Sequence, residues 1–123
     1  MNKKMNPKVK ELWLTALRSG DYARAEGKLS DGIGYCCLGV LCDIASKQGL
    51  GRWDSDLDFY RRYVDIGGDY SQATLTEGVK EWSGLSDYVG RFESGGGHAM
   101  SLAAMNDGGA SFAMLADTIE RYF

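Results

Sequence analysis

The sequence predicts an α+β fold: one domain over residues 1–123, with amphipathic helices near both ends, a central apolar helix and a small antiparallel sheet. Three observations carry this. Apolar residues recur with a helical period at 9–17 and at 112–122. Residues 37–47 are apolar almost all round. Short β-prone stretches between them are punctuated by glycine. A chain of 123 residues buries roughly two thirds of its unfolded surface, enough for a core without metal or disulfide staples.

Asn6-Pro7 opens the first helix, with Asn as cap and Pro at the first helical position, where a missing N–H costs nothing. Val9, Leu12, Trp13, Ala16 and Leu17 follow the i, i+3, i+4, i+7 pattern, and Gly20 ends the helix. Residues 22–36 read as a hairpin: a weak strand at 23–29, a turn at Ser30-Asp31-Gly32 and a return at 33–36. The 37–47 helix has Leu38, Leu41, Cys42 and Ala45 on one face, widened by Val40 and Ile44. An all-round apolar helix belongs at the centre, and Gly39 lets another backbone approach it. Residues 51–71 have no clear period, and 59–66 suits either a short helix or a strand.

Gly67-Gly68-Asp69 is a turn. Thr74-Leu-Thr-Glu77 has capping-box spacing and predicts a short helix through Trp82, ended by Gly84. Residues 88–92 read as a strand turned back by Gly95-Gly96-Gly97 toward Ala99 and Met100. Ser101 caps one helical turn ending near Met105, residues 106–109 form a glycine loop, and Ser111 caps the last helix. Phe112, Leu115, Ala116, Ile119 and Tyr122 are its core face.

The 17 glycines are about twice the usual share, against a single proline, Pro7. The formal net charge of −3 argues against a dedicated nucleic-acid binder, which draws its affinity from phosphate neutralisation. No export signal and no long apolar run is present, so the expected place is the cytoplasm, without membrane. Cys36, Cys37 and Cys42 fit a reducing compartment. They are odd in number and crowded into one apolar segment, unlike a secreted disulfide framework.

Several residues invite a chemical reading. On a helix Cys36, Cys37 and Cys42 diverge, and His98 is the only histidine, so no metal site is expected. Tyr35-Cys36-Cys37-Leu38-Gly39 at a strand-to-helix junction suits a nucleophile, with His98 following a later strand as base, as in papain-like and NlpC/P60 cysteine hydrolases. The acidic run Asp54-Ser55-Asp56-Leu57-Asp58 lacks the glycine and glutamate of a calcium loop, because Phe59 and Asp65 hold those positions. Asn106, Asp107, Gly108 and Gly109, running into the helix capped by Ser111, present the free amides of an anion site, though no Walker lysine follows. Arg52-Trp53 and Tyr60-Arg61-Arg62 offer guanidinium groups for phosphates and rings for stacking. These ten residues are the expected ligand-binding set.

Four segments resemble a family of small proteins encoded by bacteriophages and prophages. They are Trp13-Leu-Thr-Ala-Leu-Arg-Ser-Gly-Asp-Tyr22, Gly34-Tyr-Cys-Cys-Leu-Gly-Val-Leu-Cys-Asp43, Val79-Lys-Glu-Trp-Ser-Gly-Leu85 and Met105-Asn-Asp-Gly-Gly-Ala-Ser-Phe112. The resemblance brings no assigned catalytic residues. It implies a phage protein working inside a bacterium, where such accessory proteins blunt host defences by binding. The expected function is therefore a non-catalytic anti-defence binder, without cofactor, that sequesters a nucleotide-derived immune signal. Two alternatives stay open: an inhibitor that binds a host defence protein directly, and a small cysteine hydrolase using Cys37 and His98. Self-association as a homo-oligomer fits any of these.

Overall fold

The computed structural model describes residues 4–55 and 61–123. The fold is α+β, as the sequence predicts. Five helices, α1 (Pro7–Ser19), α2 (Cys37–Lys47), α3 (Glu77–Ser83), α4 (Leu102–Asp107) and α5 (Phe112–Tyr122), and five short strands lie among these residues. The strands are β1 (Gly51–Ser55), β2 (Arg61–Asp65), β3 (Tyr70–Ser71), β4 (Arg91–Ser94) and β5 (His98–Ser101). They form two antiparallel sheets rather than one: β1-β2-β3 and β4-β5. None of the helices is long and apolar enough to cross a membrane.

The helix ends obey their local chemistry. Asn6 accepts from the N–H groups of Lys8 and Val9, and Gly20 closes α1 in the left-handed region at φ 80°. Ser101 and Ser111 accept from Ala104 N–H and Met114 N–H to start α4 and α5. α1 and α5 pack side by side, and α2 lies beneath α1. Eight of the eleven residues of α2 are buried, so the all-round apolar helix is the centre of the core. Trp13, fully buried, donates its indole N–H to the carbonyl of Cys37 at 2.9 Å and ties α1 to the start of α2.

Gly39 meets the expected backbone, which is that of Leu29. A Cβ at Gly39 would lie 1.8 Å from the Leu29 carbonyl oxygen. This close approach also explains why 22–36 is not the predicted hairpin. The segment makes only isolated bridges, Arg24 with Tyr35 in parallel and Ser30 with Tyr35 in antiparallel sense. Tyr35 N–H donates to Ala23 O and Ala25 N–H to Tyr35 O, both at 2.8 Å, but Leu29 N–H leaves the segment and donates to Gln72 O at 2.7 Å. A segment wedged against a helix and pinned from the side keeps a few bonds with itself but no continuous ladder.

The 51–71 region resolves into strands. β1 pairs β2 with Gly51 opposite Asp65 and Ser55 opposite Arg61. The 67–69 turn leads to β3. The cap of α3 is Thr76, not Thr74, which instead hydrogen-bonds Ser71 at 2.9 Å. The first amides of α3 are held by carboxylates from the β2–β3 turn: Glu77 N–H by Asp69 at 2.8 Å and Gly78 N–H by Asp65 at 2.7 Å. Asp65 is buried and also accepts from the N–H groups of Gly67 and Asp69, each at 3.0 Å. Burial disfavours its charge, but these donors outweigh it and hold the carboxyl below its ordinary range. The strand expected at 88–92 lies at 91–94, because Asp87 turns the chain by accepting from Val89 N–H and Arg91 N–H.

Candidate functional site

The cysteines are structural. Cys36 caps α2, its Sγ accepting from Gly39 N–H at 3.4 Å. Cys37 is fully buried, with Sγ 3.8 Å from the carbonyl oxygen of Leu102. Burial pushes its thiol well above the ordinary range, which overrides any pull of the helix N-terminus toward thiolate. His98 is exposed at the start of β5, paired by backbone with Ser94, and no contact joins it to Cys37 among the described residues. The Cys37–His98 reading is thereby corrected: a thiol that is neither ionised nor reachable attacks nothing. In the folded protein, iodoacetamide is expected to label Cys37 at least about 100-fold slower than a free cysteine at pH 7. Labelling at the free rate, followed by peptide mapping, would restore it as a nucleophile.

The 106–111 stretch is also structural. Asn106 and Asp107 lie inside α4, not in a loop. Asn106 is fully buried: its Oδ1 accepts from Cys37 N–H at 3.1 Å and its Nδ2 donates to Ala25 O at 2.8 Å. Asp107 accepts from Gly27 N–H at 2.8 Å. The amides expected to cradle an anion are spent. Gly108, Gly109 and Ala110 donate to the carbonyls of Ala104, Asn106 and Met105. The exposed pole here is a helix C-terminus, and Arg24 closes it, donating to the carbonyls of Ala110 at 2.7 Å and of Asn106. Ser111 is occupied as the cap of α5. The amides of 108–110 are not free for an anion, and the side chains of Asn106, Asp107 and Ser111 are occupied, so the predicted glycine-loop cradle is not formed.

The remaining predicted residues lie on the β1–β2 pair, and the strand period divides them. Side chains opposite one another share a face. Trp53 is opposite Tyr63 and Ser55 opposite Arg61, so Trp53 and Arg61 face the core side. Asp54 is opposite Arg62 and Arg52 opposite Val64, so both of those arginines face outward. Tyr60 lies outside the described residues. On the outer face Arg62 is neutralised by Asp54, at 3.0 Å, and lies over the Tyr70 ring at 4.8 Å. Arg52 is 3.8 Å from the same carboxylate.

On the core side, Arg61 is placed differently. Its guanidinium lies over the Trp53 indole at 5.0 Å and donates to Ser30 Oγ at 3.3 Å. Among the described residues it meets no carboxylate. Trp53 continues an aromatic row by edge-to-face contacts, to Tyr35 at 5.7 Å and from Tyr35 to Tyr22 at 5.2 Å. Asp43 holds both ends, accepting from the Trp53 indole N–H at 3.0 Å and from the Tyr22 hydroxyl at 2.5 Å, with Lys47 at 3.4 Å. Burial, then the bond to Asp43, raises the Tyr22 hydroxyl above its ordinary range. Tyr22 therefore stays neutral, and at the other end of the row Arg61 is bonded, among the described residues, to Ser30 and to no carboxylate. A guanidinium held over an aromatic ring has already lost rotamer freedom, which lowers the entropy cost of pairing it with an anion.

Sequence reasoning found Trp53 and Arg61 but missed Ser30, Tyr35, Tyr22 and Asp43. The Tyr35 aromatic and the Asp43 carboxylate stand within one apolar block, but nothing local signals that both turn toward β1.

The family model of a domain of unknown function, DUF8296, matches residues 5–123, and the chain belongs to that family. No curated protein and no solved structure matches it.

Proposed function

We propose that this family member is a non-catalytic binder that sequesters a nucleotide-type signal, with Arg61 as the contact for a phosphate and the Trp53–Tyr35 row beside it for a base. The observation that carries this reading is the guanidinium of Arg61, stacked on Trp53 and facing no carboxylate among the described residues. The resemblance to phage proteins supplies the setting, a bacterial host whose immune signal is the thing removed. The spent amides at 108–110 and the buried Cys37 turn the reading toward the aromatic corner, where Arg61 lies over Trp53.

Calorimetry against cyclic dinucleotides and ADP-ribose-type molecules tests it. One of them is expected to bind, and more weakly as salt rises, because the contact is a charge pair near the surface. A hydrogen bond to a charged group contributes about 1.5–3 kcal/mol, so Arg61→Ala should weaken binding by about 10- to 100-fold. No heat from any member at high micromolar concentration would remove the nucleotide reading.

A further inference from the structure

We infer that the phosphate taken by Arg61 is a singly charged phosphodiester, as in a cyclic nucleotide, and not a terminal phosphate monoester. This rests on the nucleotide reading of the same site and names the class of ligand within it.

The charges around the aromatic row decide the class. Lys47 lies 3.4 Å from Asp43, and Arg24 lies 3.1 Å from Glu26. Arg62 and Arg52 share Asp54 on the face of the sheet opposite Trp53. Asp31 stands next in the chain to Gly32, where a Cβ would lie 3.9 Å from Arg61 Cδ. Its carboxylate accepts from Ile33 N–H at 2.9 Å and Gly34 N–H at 2.7 Å. These bonds, with a smaller pull from Lys28, hold it below its ordinary range. Arg61 is bonded to Ser30 and, among the described residues, to no carboxylate. The described residues around the row thus present one unmatched cation, with the carboxylates of Asp31 and Asp43 in the same neighbourhood.

A phosphate monoester carries close to two negative charges at neutral pH and loses the second with a pKa of about 6. A diester carries one. Attraction to a single cation grows in proportion to the charge of the ligand, but the cost of taking that charge out of water grows as its square. Ser30 is fully buried, and Arg61 and Trp53 are half-buried, so a phosphate in contact there gives up part of its water. One cation suits one charge. The second charge of a monoester would have no cation of its own and two carboxylates nearby.

Carboxylates, tyrosines and lysines titrate outside the range of about pH 5.5 to 7.5. Asp31 is held lower still, and Tyr22 and Lys47 higher. The single histidine, His98, lies in the other sheet. A change of affinity across this range therefore reports the charge of the ligand.

The indole N–H of Trp53, which donates to Asp43 within the row, gives the readout. Its nuclear magnetic resonance signal in the full chain is titrated with cyclic AMP and cyclic GMP beside AMP and GMP. At about pH 7.5 a cyclic form is expected to bind about two- to fivefold tighter than its monoester. Acidifying to about pH 5.5 should strengthen the monoester by a similar factor and leave the cyclic form unchanged. A monoester that binds as tightly or tighter at pH 7.5, and does not strengthen in acid, would overturn the inference and leave the nucleotide reading standing. An indole signal unmoved by all four would remove both.

Discussion

Gly39→Ala is expected to prevent stable folding. Replacing a mid-helix glycine by alanine ordinarily stabilises a helix by about 1 kcal/mol, so helix propensity alone predicts a gain. At this position the new Cβ would lie 1.8 Å from the carbonyl oxygen of Leu29, 2.7 Å from its carbon and 3.1 Å from its Cα. These are backbone atoms and cannot swing aside. Moving them would break the Leu29–Gln72 bond and the bond from Cys36 N–H to Leu29 O, and would open the core along α2. Overpacking typically costs about 1–3 kcal/mol where side chains can yield. A cost above about 4 kcal/mol is expected here, most of the roughly 5–15 kcal/mol a domain has. Urea denaturation followed by circular dichroism measures it. A variant as stable as the parent would mean that α2 does not rest on Leu29.

Asn106→Ala is expected to be the next most damaging change. Asn106 is fully buried and supplies both the acceptor for Cys37 N–H and the donor for Ala25 O. Truncation leaves both partners buried and unpaired, at about 1–3 kcal/mol each, so about 2–6 kcal/mol in total. Asn106→Asp keeps the acceptor but sets a carboxylate oxygen against the Ala25 carbonyl, and should also destabilise. The measurement is again the denaturation midpoint, beside Ser111→Ala, whose lost cap should cost only about 1 kcal/mol. Were Asn106 a ligand contact on an open loop, its loss would reduce binding and leave the midpoint alone. The reverse order is expected.

The legible parts of the chain are those whose determinants are local. α1 carries a cap, a period and a stop in its own residues, α5 a cap and a period, and α2 an apolar run, and the sequence predicts all three helices. Gly39 is legible because a glycine in the middle of an apolar helix has few uses other than a close approach. Where partners come from afar, sequence reading fails in specific ways. Thr74 looks like a cap by spacing, but the amides of α3 are held by Asp65 and Asp69 from the preceding turn. Residues 106–109 have loop composition, yet Asn106 and Asp107 stay helical because the buried Asn106 side chain and the Asp107 carboxylate are bonded to Cys37, Ala25 and Gly27. At the candidate site, residue type singles out Trp53 and Arg61. The division of 52–53 and 61–62 between two faces needs the strand register, and 51–55 shows no strand period against its acidic run.

Arg61 carries the proposed binding, and calorimetry of Arg61→Lys beside the parent, with any nucleotide that binds the parent, tests its role. Lysine keeps the charge but loses the planar group that stacks on Trp53 and the paired N–H edge. The expected result is a loss of affinity of about tenfold or more with a melting temperature lowered only slightly, since the half-buried Arg61 gives up one hydrogen bond and one ring contact, about 1 kcal/mol. Equal affinity for Arg61→Lys and Arg61→Ala compared with the parent would contradict the claim and place the ligand elsewhere on the molecule.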